Sequence, residues 1–282
     1  LEKDRIVERW RTSRWDSLVA NGPAWHDRFP TLEFSELNPD SFATKNRVVK
    51  YFEEFAKKIN APVIENINVL QVDKYSENNF FIKTSAGEFE AKNVICATGA
   101  FQVPVIPSII PEDSNILQMH SQFYKNPEQL KKGAVLVVGS GSSGSQIAEE
   151  LNRVNKEVYF SIGPHDRPPR RYRGKDNVWW LGVLGKWEAK TPKPGTQHVT
   201  IAVSGYDGGK TIDFRKFAHN GITLLGMTKK FENGKLYFED DLKTNIENGD
   251  KNYLNLLDEA DEYIKKNNLS FPEEPEARDF IS

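Results

Sequence analysis

The chain has a single cysteine, Cys96, so it can form no internal disulfide and cannot run paired-thiol redox chemistry. Its five histidines show no metal-ligand spacing, which leaves metal-assisted hydrolysis without support and predicts no metal site. No apolar run approaches the roughly 18 residues that a membrane span needs. No charged segment followed by an apolar core opens the chain as a secretory signal would. Charge of one sign is also missing. With 38 basic and 40 acidic residues the net charge is −2, so no field draws the whole chain to nucleic acid or to anionic lipid. Cys96 lies in the apolar run Val94-Ile95-Cys96-Ala97 and is expected as a buried, reduced thiol. These absences together predict a cytoplasmic protein.

What is present suffices for a core: 38% hydrophobic and 11% aromatic residues, in a length that suits one large or two ordinary domains. The first 30 residues are rich in Trp and Arg, without a sustained period, and predict structured loop and short helix. Helical spacing of Val48, Tyr51, Phe52, Phe55 and Ile59 predicts a helix over 45–59 with Thr44 as its N-cap. A strand region is expected over 62–72, and two strands over 79–84 and 88–97 around a turn at Ser85-Ala-Gly87. Pro104, Pro107 and Pro111 mark a linker. Beyond it, Ala134–Val138 is a continuous apolar run, as a parallel strand covered on both faces would be. Ile147, Ala148, Leu151 and Val154 give one face of a helix, and 157–161 returns as a strand. Further on come a strand over 222–227, a hairpin turning at Asn233-Gly234, and a last helix marked by Leu254, Leu257, Ala260 and Ile264. The Pro/Glu-rich stretch 272–275 is expected to be mobile.

Between the apolar strand and its helix stands Gly139-Ser-Gly-Ser-Ser-Gly144. Such a string is weak evidence alone, but here it has the strand–turn–helix context that its mechanism needs. Gly139 permits the turn, Gly141 lets backbone approach a phosphate, and Gly144 lets helix and strand pack. Free amides and the positive dipole end of the helix then receive a pyrophosphate, with Ser142 and Ser143 as added hydroxyl donors. An NAD site places an acid at the end of the next strand, about 20 residues on. Here that point is Tyr159-Phe-Ser161, followed by His165, Arg167, Arg170, Arg171 and Arg173. Guanidinium groups hold a 2′-phosphate that a carboxylate would repel, so NADPH is favoured over NADH. Arg170 and Arg171 are candidates with Ser161, although a solvated basic loop explains the arginines too. Trp179 and Trp180 fit a substrate-channel wall or, at this aromatic density, the core.

With these residues in view, the chain resembles the flavin-containing monooxygenases, within the pyridine-nucleotide-disulfide-reductase-like superfamily. Val138–Gly144 looks like their NADPH motif. Asn93-Val-Ile-Cys-Ala-Thr98-Gly99 is similar to the strand where the chain passes between flavin and nicotinamide domains. Glu8-Arg-Trp10-Arg11 with Trp15-Asp-Ser17 looks like the segment lying along FAD, and His120-Ser-Gln-Phe-Tyr124 matches the end of the fingerprint before the NADPH motif. The Phe-x-Gly half of that fingerprint is absent, since Ser114 and Ile116 stand there. The first glycine motif, which would hold the FAD pyrophosphate, occurs nowhere in the chain.

The resemblance implies an α/β protein of two Rossmann-like, three-layer dinucleotide-binding units, the first truncated at its N-terminus and carrying a small β-meander. The expected boundaries are 1–125 for the partial FAD unit, 126–271 for the NADP unit, and 272–282 for a tail that starts the return. It also implies FAD contacts at Glu2, Trp10, Trp15, Thr98 and Gly99. NADPH would reduce FAD, and O2 would be activated to oxygenate a small-molecule substrate. No acid, base or nucleophile is assigned, and His120 is given no proton transfer. The alternative is a non-catalytic nucleotide-binding protein, or an inactive internal fragment lacking the FAD pyrophosphate loop.

Overall fold

A computed structural model of the chain describes residues 1–99, 101–190, 193, 196 and 199–279. After α1 (Glu8–Thr12), helix α2 (Lys45–Lys58) starts where the extended Thr44 offers its hydroxyl to the Arg47 amide at 3.4 Å. Its face of Val48, Val49 and Tyr51 packs on Ala20, Ala24, Phe34 and Ala43. The Tyr51 hydroxyl is satisfied inside that cluster: it donates to the Leu32 carbonyl at 2.7 Å and accepts from the Phe29 amide at 2.6 Å.

An antiparallel meander follows, β1 (Val69–Ser76), β2 (Asn79–Thr84) and β3 (Gly87–Ala91), in sequence order. The strand expected from residue 62 starts only at Val69, because Pro62 has no amide to donate and Asn66 turns the backbone left-handed at φ 60°. The strand expected to reach residue 97 ends at Ala91. Ile95 is 89% exposed and Cys96 is exposed, so the expected buried thiol is corrected. An apolar run is covered on both faces only when neighbouring strands pair with it, and none does so here among the described residues.

The second half begins with β4 (Val135–Val138), α3 (Ser142–Arg153) and β5 (Val158–Ser161). It continues through the short strands β6 (His165–Asp166), β7 (Arg171–Tyr172) and β8 (Lys175–Asp176), helix α4 (Asn177–Val183), β9 (Thr200–Ile201) and α5 (Phe214–His219). Strand β10 (Thr223–Leu225), the hairpin β11 (Thr228–Glu232) and β12 (Lys235–Phe238), and α6 (Leu242–Lys266) complete it. The central sheet is parallel in the order β10-β5-β4, with Val135 opposite Val158 and Thr223 opposite Tyr159. Strand β4 is an edge of this sheet, and its Val138 is exposed rather than covered on both faces. The hairpin turns at Asn233 and Gly234, with φ of 51° and 75°, the pair of positive angles that a type I′ turn requires.

The main core gathers Ile147, Ala148 and Leu151 of α3, Val158 and Phe160 of β5, and Phe214 and Phe217 of α5. Trp15, Leu18 and Tyr124 belong to it, so residues before position 125 are built into the body that carries the parallel sheet. A second cluster joins Tyr172 and Trp180 to Tyr253, Leu257, Ala260 and Ile264 of α6. Trp180 is fully buried there and donates its indole N–H to the Tyr172 carbonyl at 3.0 Å, which makes it core rather than a channel wall.

The stretch 272–275, expected to be mobile, is tied down. Arg173 donates to the Pro272 carbonyl at 2.9 Å and pairs with Glu273 at 2.8 Å, while Arg278 pairs with Asp258 and Asp261. The last positions of the expected tail, 280–282, lie outside the described residues. Among the described residues no helix is long and apolar enough to cross a membrane, and no acidic, His or Cys cluster could hold a metal ion.

Candidate functional site

The carboxyl ends of β4, β5 and β10 lie side by side, and the glycine string forms the turn that leaves the first of them. Gly139 has φ +102°, a backbone that side-chain-bearing residues rarely adopt, and its amide donates to the Ser161 carbonyl at 3.1 Å. Ser140 is buried, with its hydroxyl on the Gly163 carbonyl at 3.1 Å. At Gly144 a Cβ would stand 1.9 Å from the Gly139 carbonyl oxygen, so only glycine lets α3 pack this tightly on the turn. Ser145 closes the first turn of α3 by donating to the Gly141 carbonyl at 2.9 Å.

Gly141 is the N-cap of α3, and no side chain caps this end. The amides of Ser142, Ser143 and Gly144 have no carbonyl ahead of them in the helix to bond, and the dipole places partial positive charge there. Chemically this is a cradle for an anion at the edge of a strand-end crevice. It is partly covered. Thr200 lies against Gly141, and the Ser142 hydroxyl donates to the Ile201 carbonyl at 2.9 Å and accepts from the Val203 amide at 3.1 Å. Ser143 is exposed at the mouth.

The other expected dinucleotide contacts are placed differently. Ser161 is buried; its hydroxyl donates to the Gly226 carbonyl at 2.9 Å and is bonded to Thr228 Oγ1 at 3.0 Å, so it ties β5 to the chain after β10. Arg170 is buried and faces inward. Its Nε is 3.1 Å from Asp176, a second bond to the same carboxylate makes the pair bidentate, and its Nη1 reaches the Asn21 carbonyl at 2.7 Å. The expected 2′-phosphate contact therefore does not lie at Arg170, since a fork closed on a carboxylate has nothing left for a phosphate. Arg171 is exposed and holds the carbonyls of Gly208 at 2.9 Å and Asp40 at 3.0 Å. Arg167 pairs with Asp250, and Arg173 with Asp261. This basic run reads as structural clasps, and sequence reasoning missed them because the partner carboxylates lie up to 100 residues away.

His165 is buried between these elements. Its Nδ1 faces the Gly163 carbonyl at 3.0 Å and its Nε2 has no hydrogen-bond partner among the described residues. Burial pushes its pKa down, helped by the neighbouring Arg167 charge. Burial also pushes the Asp166 carboxyl up. Glu150 of α3 accepts from the Ser17 and Tyr124 hydroxyls, both at 2.6 Å. The Tyr124 phenol is pushed far above its usual range, first by burial and then by that carboxylate. Glu150 was also missed in the sequence, where nothing marks it beyond a polar position on a helix.

On the expected FAD side, Trp15 is in the main core and Trp10 is half-buried between that core and the cluster around Tyr51. Glu2 joins the start of the chain to residues 64–67, its amide on the Ile64 carbonyl at 3.0 Å. Thr98 and Gly99 are exposed, the latter at φ +78°. No hydrogen bond among the described residues joins Glu2, Thr98 or Gly99 to the cradle. A shallow recess of about 460 Å³ beside α1 and α2 is lined by Arg5, Arg11, Lys45 and Lys50. Each of these cations is paired with a carboxylate, so the recess offers no free charge.

Residues 26–176 match the family model described as pyridine nucleotide-disulphide oxidoreductase. The chain is 38% identical over 186 residues to an uncharacterized CzcO-like oxidoreductase of Geobacillus kaustophilus, covering 65% of this chain and 52% of that protein. It is 28% identical over 170 residues to flavin-containing monooxygenase 1 of Sus scrofa, covering 55% of this chain and 31% of that protein. The chain thus spans about half the length, or less, of these curated relatives. Among solved structures, a double mutant of a flavin monooxygenase from Stenotrophomonas maltophilia shares the fold at 20% identity and a TM-score of 0.59, over 82% of this chain and 63% of that one. With a family match that runs over more than half its length, around a strand–glycine turn–helix unit, the chain belongs to the pyridine nucleotide-disulphide oxidoreductase family.

Proposed function

We propose that this chain is the nicotinamide-dinucleotide part of a flavin-dependent monooxygenase, in which NADPH reduces FAD and O2 is activated to oxygenate a small molecule. FAD and NADPH are the cofactors that the family and its flavin monooxygenase relatives support. The observation that carries the reading is the Gly139–Gly144 turn at the carboxyl edge of a parallel β4–α3–β5 unit.

The residues present fit a dinucleotide. Gly139 and Gly144 are required by backbone conformation and close packing, and the uncapped amides of Ser142, Ser143 and Gly144 would hold the pyrophosphate. When bound, NADPH supplies a hydride; the chain supplies position and charge balance. No acid stands at the end of β5, where Ser161, Ile162 and Gly163 follow one another, so nothing there repels a 2′-phosphate. Asp166, further on, has its pKa raised by burial.

The residues present do not build an FAD site. The sequence holds one glycine string, and Glu2, Thr98 and Gly99 are not gathered at a second helix mouth. In this reading the meander unit belongs to a first Rossmann-like unit, with the boundary near residue 125. That same deficit supports the second reading, a chain that binds nucleotide without catalysing oxidation.

Calorimetric titration of the chain with NADPH and NADH tests the proposal. NADPH is expected to bind at least tenfold more tightly, and the purified chain is expected to show no stoichiometric flavin absorbance. Failure to bind either nucleotide would overturn it.

A further inference from the structure

We propose that Thr200–Val203 is a strap closing the mouth of α3, which has to part before a dinucleotide can seat, and that Ser142 is its latch. The inference rests on the dinucleotide reading of that mouth and adds its regulation.

A phosphate oxygen accepts hydrogen bonds, so Ser142 could serve it only by donating. Its one O–H is already spent on the Ile201 carbonyl at 2.9 Å, while its oxygen accepts from the Val203 amide at 3.1 Å. The open side of Gly141, through which backbone would approach a phosphate, faces Thr200. The Thr200 Cβ and methyl lie 3.2 and 3.5 Å from where a Gly141 Cβ would stand. Ligand and strap compete for that space.

The strap is held unevenly, which sets how it opens. Its far end is firm: Ala202 is buried with its amide on the Asp166 carbonyl at 2.9 Å, and Gln146 holds the Val203 carbonyl at 2.9 Å. The near end is β9, held more loosely: Thr200 is half-buried and pairs with His165 of β6, its amide 3.5 Å and its hydroxyl 3.4 Å from the Pro164 carbonyl, and Ile201 is exposed. Opening therefore peels Thr200 and Ile201 off β6 about Ala202 and breaks the Ser142–Ile201 bond. One neutral hydrogen bond favours the closed form by about five- to tenfold, and a ligand that binds only the open form loses that factor in affinity.

The test compares the full chain with Ser142→Ala and Thr200→Ser, using NADPH and ADP-ribose as probes in calorimetry, with amide hydrogen exchange read over 200–203. Ser142→Ala is expected to bind both probes about five- to tenfold more tightly, Thr200→Ser less so, and NADPH is expected to speed exchange at Thr200 in the wild type. Weaker binding by Ser142→Ala would show that its hydroxyl serves the phosphate, and would overturn the strap. So would wild-type binding with the Thr200 amide still protected, which leaves the dinucleotide reading intact. If no protein binds either probe, the dinucleotide reading falls and the strap falls with it. Circular dichroism checks folding, and a misfolded Ser142→Ala leaves the Thr200→Ser and exchange arms to decide.

Discussion

Single residues carry most of the site's constraints, and they do so through packing rather than through ionisable groups. A methyl at position 144 would meet the Gly139 carbonyl at 1.9 Å, well inside contact distance, so Gly144→Ala has to displace the turn or the helix. Overpacking costs roughly 1–3 kcal/mol. We expect a lower Tm in thermal denaturation and at least a tenfold loss of NADPH affinity. Arg170 and Arg171 are neighbours with opposite fates. Arg170→Ala leaves the Asp176 carboxylate buried without its partner, a loss of about 3–5 kcal/mol. Arg171→Ala removes an exposed side chain from two carbonyls and costs about 1 kcal/mol or less. Urea unfolding of both variants checks the contrast; equal losses would contradict the clasp. His165 gives the pH dependence its sign. Its folded pKa lies below its ordinary value of 6.5 because burial, then Arg167, disfavour the charged ring. As pH falls below about 6.5 the unfolded chain takes up a proton that the folded chain refuses, and stability drops with it. The urea midpoint is expected to fall between pH 7.5 and 5.5, and to fall less in His165→Phe.

Among the elements, one long-range attachment holds the segment after α6. Arg173 binds Asp261 of α6, the Pro272 carbonyl and Glu273, so it staples the segment after α6 to the loop after β7. Arg173→Ala is expected to make residues 272–279 an early site of limited proteolysis while the parallel sheet stays protected; unchanged cleavage would assign the anchoring to Arg278 alone. The turn at Asn233-Gly234, the Thr44 cap and α3 were all legible in the sequence, because local geometry specifies each of them. The strand expected to end at residue 97 was not. Its apolar pattern is right for burial, yet pattern alone does not provide the neighbouring strand, and Ile95 stays exposed.

At the scale of the whole molecule, a core shared between Trp15, Leu18, Tyr124 and the parallel sheet sets the N-terminal segment against the parallel-sheet unit. Ser17 and Tyr124 on Glu150, and Gln146 and Arg170 on Asn21, reinforce that seam with hydrogen bonds. The cradle is thus held from both sides.

The sequence by itself determined the strand–glycine turn–helix unit, since local residues specify each of its parts, and it excluded a disulfide within these 282 residues by having one thiol. Tertiary structure alone decided the fate of the arginines and of Ser142. Whether a guanidinium faces a ligand or a buried carboxylate depends on which distant acid the fold brings within 3 Å, and a hydroxyl is available only where no strap has already taken its proton.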